Sequence, residues 1–199
     1  MIVGLTGGIA SGKSTVSRML KEFGAVVLDA DAQVRANQEK GSDGYQKTRD
    51  IVGEDCVLDN GDFDRKKIRS KILNDASILD ALEENLHPIV RNYYADTLKS
   101  IDTQNQLIIL DVPLLIGYPT EPLCEKIIVT VCSDEGERKR RAFDRGGMSE
   151  EWWAFITSRQ LTADEFKERA DYVIPTECSL GETKEHVQKL IKLLTNTET

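Results

Sequence analysis

The chain has 199 residues, of which 40% are hydrophobic, 30% charged and 6% aromatic. That length and balance suit one substantial folded domain and argue against a disordered or fibrous chain. A formal charge of −8 argues against a general nucleic-acid or membrane-surface binder, so anionic ligands must be met by local Arg and Lys and by backbone amides.

In chain order, five short apolar segments read as buried parallel strands: Met1–Thr6, Ala25–Ala30, Gln106–Val112, Lys126–Cys132 and Asp171–Ile174. Amphipathic helical patterns lie between them, from Lys13 to Phe23, from Ile78 towards Leu98 and from Thr183 to Leu194. Strand alternating with helix predicts an α/β fold with three αβα layers around a parallel five-stranded sheet. About 75 residues separate the second and third strands, and nearly 40 the fourth and fifth. Both gaps exceed what a crossover needs, so insertions are expected above the carboxyl edge, where ligands bind. The first strand begins at once, with no basic, apolar leader, and the longest apolar run (Leu107–Ile116) is too short and polar to span a bilayer. A soluble, cytoplasmic protein without a membrane partner is expected. Cys56, Cys124, Cys132 and Cys178 form no C-x-x-C pair and read as small core residues.

Between the first strand and the first helix runs Gly7-Gly8-Ile9-Ala10-Ser11-Gly12-Lys13-Ser14, which fits G-x-x-x-x-G-K-[ST]. Glycines let backbone N–H groups turn inward around phosphate oxygens, and the following helix presents its positive end. Gly8, Ala10, Ser11, Gly12 and Thr15 are accordingly candidate contacts to a nucleotide triphosphate. Lys13 can reach the β- and γ-phosphates, and the Ser14 hydroxyl suits Mg²⁺. The loop alone does not separate phosphoryl transfer from a hydrolytic switch or from simple binding. The chain has no N-K-x-D to read guanine, which weakens the switch.

The acceptor has to be read elsewhere. Asp31, in "DADAQVRA" after the second strand, is either a carboxylate facing the γ-phosphate or a helix N-cap. A helix starting near it would place Arg35 one turn away. Asp111 ends a hydrophobic strand, where a carboxylate can hold Mg²⁺ directly or through water, or simply start a turn. In "ERKRRAFDRGG", Arg138 to Arg141 could be a nucleic-acid patch or a solvated helix face. Arg141 and Arg145 are one turn apart, so both could fold over one triphosphate, and Gly146-Gly147 could act as a hinge.

Taken together, "GLTGGIASGKSTV", "DADAQVR", "DNGDFDRKKIR", "LHPIV", "DVPLLI" and "ADYVI" resemble dephospho-CoA kinases in order and spacing over nearly the whole chain. The resemblance implies ATP-dependent phosphorylation of the ribose 3′-hydroxyl of dephospho-CoA, with Mg²⁺ as cofactor and no nucleic-acid partner. It implies a single P-loop kinase domain, with a core at 1–32, 100–135 and 165–199, a helical CoA-binding insertion at 33–99 and a lid at 136–164. Carried over by position, Asp31 activates or positions the 3′-hydroxyl, Arg35, Arg65 and His87 line the substrate side, and Lys13 and Arg141 act on the phosphates. Without the resemblance, His87 before Pro88 reads as a helix-end or core histidine. The chain departs from the family pattern at Arg138, Gly146, Ile156, Gly117 and Pro175-Thr176, and its adjoining Trp152 and Trp153 are unusual. Gln160 matches, and Arg159 stands three positions from where the family has an arginine. Two rivals follow: a small P-loop kinase with a nucleoside, nucleotide or sugar acceptor, or a nucleotide-binding regulator without catalysis.

Overall fold

The computed structural model describes residues 1–101 and 106–195, so residues 102–105 and 196–199 of the expected core lie outside the described residues. Five strands form one sheet in the order β2-β3-β1-β4-β5: β1 Ile2–Thr6, β2 Val26–Asp29, β3 Ile108–Asp111, β4 Lys126–Val131 and β5 Tyr172–Pro175. Every pairing is parallel, as the continuous apolar segments require. The last strand starts one residue later than its apolar run suggests. Asp171 instead meets the start of β4, its carboxylate accepting from Lys126 Nζ and from the Ile127 amide, both at 2.8 Å.

Side chains alternate between the two faces of the sheet. Val3, Leu5 and Ile109 point to one side, where α1 (Lys13–Glu22) packs with Val16 and Leu20. The same side receives α9 (Leu180–Thr195), through Val187, Leu190 and Leu194. Ile108 and Leu110 point to the other side, against Tyr94 and Val90 of α5 (Ser77–Ser100). This gives the three αβα layers.

The long connection between β2 and β3 carries α2 (Ala30–Asn37), α3 (Asp43–Val52), α4 (Arg65–Asn74) and α5. Val52, Cys56, Ile72 and Leu82 form a small separate core there. At its other end α5 packs on the sheet, so this one helix ties the insertion to the sheet. Pro88 lies inside α5 and leaves one backbone carbonyl of the preceding turn without its helical partner.

Between β4 and β5 come α6 (Glu135–Asp144), α7 (Glu150–Ser158) and α8 (Ala163–Arg169). Gly146 and Gly147, with φ of 77° and 73°, turn the chain from α6 into α7. The two tryptophans of α7 part company. Trp153 is buried beside Ala10 and Ala142, whereas Trp152 packs against the core of the insertion. The four cysteines are free, and burial pushes the Cys124 thiol up to about 12.

Candidate active site

The chain leaves β1 at Thr6 and turns through Gly7–Gly12 into α1. A Cβ on Gly7 would lie 2.3 Å from Thr130 Oγ1 and 2.6 Å from the Thr130 carbonyl, so only glycine passes the end of β4 there. Gly12, at φ 88°, opens α1 from a left-handed conformation. Ala10 is the sole described non-glycine residue with positive φ, at 59°, and it is 6% exposed, held by its surroundings.

Buried hydroxyls brace the loop from behind. Ser11 Oγ and Thr130 Oγ1 lie 2.7 Å apart, and Thr176 Oγ1 donates to the Ser11 carbonyl at 2.7 Å. From the connection between β4 and β5, Gln160 Oε1 accepts from the Ile9 amide at 2.8 Å. The first amides of α1 have no partner inside the helix and carry its positive end, which suits phosphate. Thr176→Val should leave the buried Ser11 carbonyl short of a donor and cost about 1–3 kcal/mol. Thermal denaturation checks this, and an unchanged Tm would remove Thr176 from the brace.

Parallel pairing sets the acids of the site beside one another. In register, Asp29 stands opposite Asp111, and Asp111 opposite Leu5 at the end of β1. Lys13, the first residue of α1, donates to Asp111 Oδ1 at 2.5 Å, with side chains only 16% and 7% exposed. Asp29 caps α2 by accepting from the Ala32 amide at 3.0 Å, and Arg35 pairs with it at 3.7 Å. The cap role open to Asp31 thus belongs to Asp29, and Asp31 stands in the first turn of α2. Its residue surface opens to solvent, but its carboxyl is backed by protein mass. Burial raises its pKa above the usual 3.8, Lys13 opposes that shift, and Asp29 and Asp111 add to it.

Asp31 and His87 line one cavity of about 160 Å³, walled by Val34, Leu86, Val112 and Tyr118. His87 lies mid-helix, and its ring meets Tyr118 edge-on at 4.8 Å. Tyr118 lines this cavity together with Glu83, which stands one turn before His87 on α5, and burial raises both groups above their ordinary pKa values. Arg35 is held on Asp29 and does not line that cavity, while Arg65 opens α4 and lines a second cavity.

The arginines between β4 and β5 take different places. Arg141 donates to Glu137 Oε1 at 2.8 Å and to the Thr176 carbonyl at 2.7 Å, and so reaches the loop through Thr176. Arg145 caps α6 and is exposed, one turn away but outside that network. Arg138 lies over Trp153, 5.7 Å from its ring centre. Arg159 pairs with Asp80 of α5. Ile156 is half-buried in α7. At Gly117 the backbone amide donates to Glu121. From the sequence Thr176 stood out only as a departure from the family pattern, and Thr130 not at all. The only signal they share there is a threonine at or just after the carboxyl end of a strand, which is common elsewhere.

A parallel sheet of this order, with a phosphate loop between β1 and α1, an acid at the end of β3 and helices above the carboxyl edge, defines a P-loop kinase fold. Shikimate kinase from Acinetobacter baumannii, solved with shikimate, superposes with a TM-score of 0.52 at 16% identity, over 99% of this chain and 94% of that one. The crystal structure of a Thermus thermophilus protein superposes with a TM-score of 0.77 at 28% identity, covering 100% of this chain and 98% of its own. The dephospho-CoA kinase family model matches residues 1–182. A dephospho-CoA kinase of Oryza sativa subsp. japonica is 36% identical over 192 residues, 96% of this chain and 83% of its own length. The chain belongs to the dephospho-CoA kinase family. Among the described residues no helix is long and apolar enough to cross a membrane.

Proposed function

We propose that the protein transfers the γ-phosphoryl group of ATP to the ribose 3′-hydroxyl of dephospho-CoA, giving coenzyme A and ADP, in the cytoplasm. One observation carries the mechanism: Lys13 and Asp31 stand in the first turns of α1 and α2 at one edge of the sheet, where Lys13 pairs with Asp111 and Asp111 stands in register with Asp29. Phosphoryl transfer needs mainly positioning and charge neutralisation, and this pair brings the phosphate donor to a carboxylate on the acceptor side.

In this reading the loop amides and Lys13 hold the β- and γ-phosphates, and the ammonium leaves Asp111 for phosphate oxygen. Asp31 orients the 3′-hydroxyl and takes its proton as the bond to phosphorus forms. His87, with Arg35 and Arg65, positions the acceptor, and Arg141 with Arg145 neutralises charge from the lid. The lid excludes water that would otherwise hydrolyse ATP. The transfer is in line and uses no covalent enzyme intermediate.

The donor set fits Mg²⁺. Ser14 is exposed in the first turn of α1, next to Lys13, which pairs with Asp111, and Asp111 stands in register with Asp29. A hydroxyl and one carboxylate suit an ion that completes its sphere with phosphate oxygens and water. Ser14 and Asp111 would hold it, and it would neutralise charge on the β- and γ-phosphates.

A coupled ADP-release assay over dephospho-CoA, nucleosides, nucleotides and sugars tests the acceptor. Turnover with dephospho-CoA is expected. Turnover only with another acceptor would overturn the assignment, and tight ATP binding without transfer to any acceptor would favour the regulator. Because Asp31 must be ionised and its pKa is raised, the acidic limb of the kcat/KM profile is expected above pH 3.8. That limb should be absent from the residual activity of Asp31→Asn.

A further inference from the structure

Four successive residues of α6, Arg138 to Arg141, are cationic, and three of them have a carboxylate. Lys139 pairs with Glu150 at 2.6 Å, and Arg140 and Arg141 both pair with Glu137 at 2.8 Å. Arg138 is half-buried, pairs with no carboxylate among the described residues, and has its Nε buried without a hydrogen-bond partner. A cation drawn partly out of water in this way costs stability unless a ligand supplies the anion. What holds Arg138 in place is aromatic. Its guanidinium lies 5.7 Å from the ring centre of Trp153, which is 4% exposed and packs beside Ala10 of the phosphate loop. Stacking on an indole uses the face of a guanidinium and leaves its N–H edge free to donate.

That edge reaches the loop. A Cβ on Gly8 would lie 3.8 Å from Arg138 Nη1 and 3.4 Å from Gln160 Oε1. Gln160 lines a cavity of about 250 Å³ with Thr6, Pro113 and Tyr118, and Tyr118 also lines the cavity of Asp31 and His87. The Gly8 end of the loop is therefore its acceptor-facing end. Thr176 and Arg141 serve the other end. A Cβ on Gly12 would meet Thr176 at 3.0 Å, and Arg141 donates to the Thr176 carbonyl. A triphosphate with its β-phosphate on the first amides of α1 and its γ-phosphate towards the acceptor places the γ-phosphate beside Gly8.

We propose that Arg138 binds the γ-phosphoryl group of the donor and neutralises the charge that develops on it during transfer. The inference rests on ATP as the donor, as proposed above. Arg138 is one of the positions at which the chain departs from the family pattern, so the resemblance assigns it no role. Arg141 is held by Glu137 and Thr176, and Arg159 by Asp80, whereas Arg138 has no protein partner to leave before it takes a phosphate oxygen. A planar fork fixed on Trp153 meets two oxygens of one phosphoryl group without reorganising.

Calorimetric titration with ADP and with the β,γ-imido analogue of ATP tests the contact. Arg138→Met should weaken binding of the analogue about tenfold and move ADP affinity by less than about twofold. Arg138→Lys, which keeps a charge and loses the fork, should fall between Arg138→Met and native protein. In single-turnover transfer, Arg138→Met should be slower by about 10²–10³-fold. Its Tm without nucleotide should hold or rise, because methionine keeps the stem on Trp153 and removes a cation that has no anion. Equal loss of both nucleotides, loss of neither, or a fall in Tm would overturn the role and leave Arg138 as a brace of the loop. The titrations contain no acceptor. Failure of the acceptor assignment would show separately, as native protein that binds the analogue and does not phosphorylate dephospho-CoA.

Discussion

Asp31→Asn is expected to lower kcat by about 10²–10⁴-fold while ATP affinity moves by less than about twofold. The amide keeps the size and a hydrogen bond to the 3′-hydroxyl but cannot take its proton. Asp29 remains to cap α2, so the helix that carries position 31 should stay in place. The stability effect should run the other way from the activity. The folded protein raises the pKa of Asp31, so any stabilisation from this group exists at low pH and is lost as pH rises through the raised value. At neutral pH the ionised carboxyl is a net burden on the fold, and Asp31→Asn should hold or raise Tm. Near-normal turnover would remove Asp31 from its role. A large fall in Tm would mean that activity was lost through the fold.

Lys13→Ala should damage both ATP affinity and rate, with kcat down about 10²–10³-fold, because its charge acts in the ground state and the transition state alike. It has a second consequence. Lys13 is the ion-pair partner of Asp111, whose residue is 5% exposed, and removing it leaves a buried carboxylate without its cation. Breaking a buried pair from one side costs about 3–5 kcal/mol, and the partial exposure of Lys13 places this pair towards the lower figure. The Lys13→Ala, Asp111→Ala double variant should recover part of that stability and none of the rate. Denaturant melts of the single and double variants check the first claim, and single-turnover kinetics the second. A double variant less stable than Lys13→Ala would contradict the ion-pair account.

The core was legible in the sequence because its physics is local. Buried parallel strands read as apolar runs, and the phosphate loop needs glycines at fixed places, as Gly7 against Thr130 shows. Val187, Leu190 and Leu194 mark the buried face of α9 without any tertiary information. The insertion was harder to divide. In α4 only Ile68, Ile72 and Leu73 are apolar apart from the charged and polar residues, and Asp64 caps it from a stretch that reads equally well as a turn. Asp29 and Asp31 are two residues apart in "DAD", and only the start of the helix decides which of them caps it.

The parts of the site that were not legible depend on distant partners. Thr176 matters because its hydroxyl meets Ser11, 165 positions away. Arg141 and Arg145 share a helical turn, which suggested a common target, yet Glu137 and Thr176 hold Arg141 and not Arg145. Trp152 and Trp153 are adjacent and face opposite partners, since neighbouring residues on a helix point about 100° apart. No pattern in the sequence says that one seals the insertion and the other backs the loop.

The position of the transferred phosphate tests the central claim most directly. The protein incubated with ATP and dephospho-CoA should give a product heavier by one phosphoryl group, with the new phosphate placed on the ribose 3′-oxygen by NMR. Phosphate at any other position, or ATP consumed without a phosphorylated acceptor, would contradict the assignment of Asp31 as the carboxylate that faces the 3′-hydroxyl.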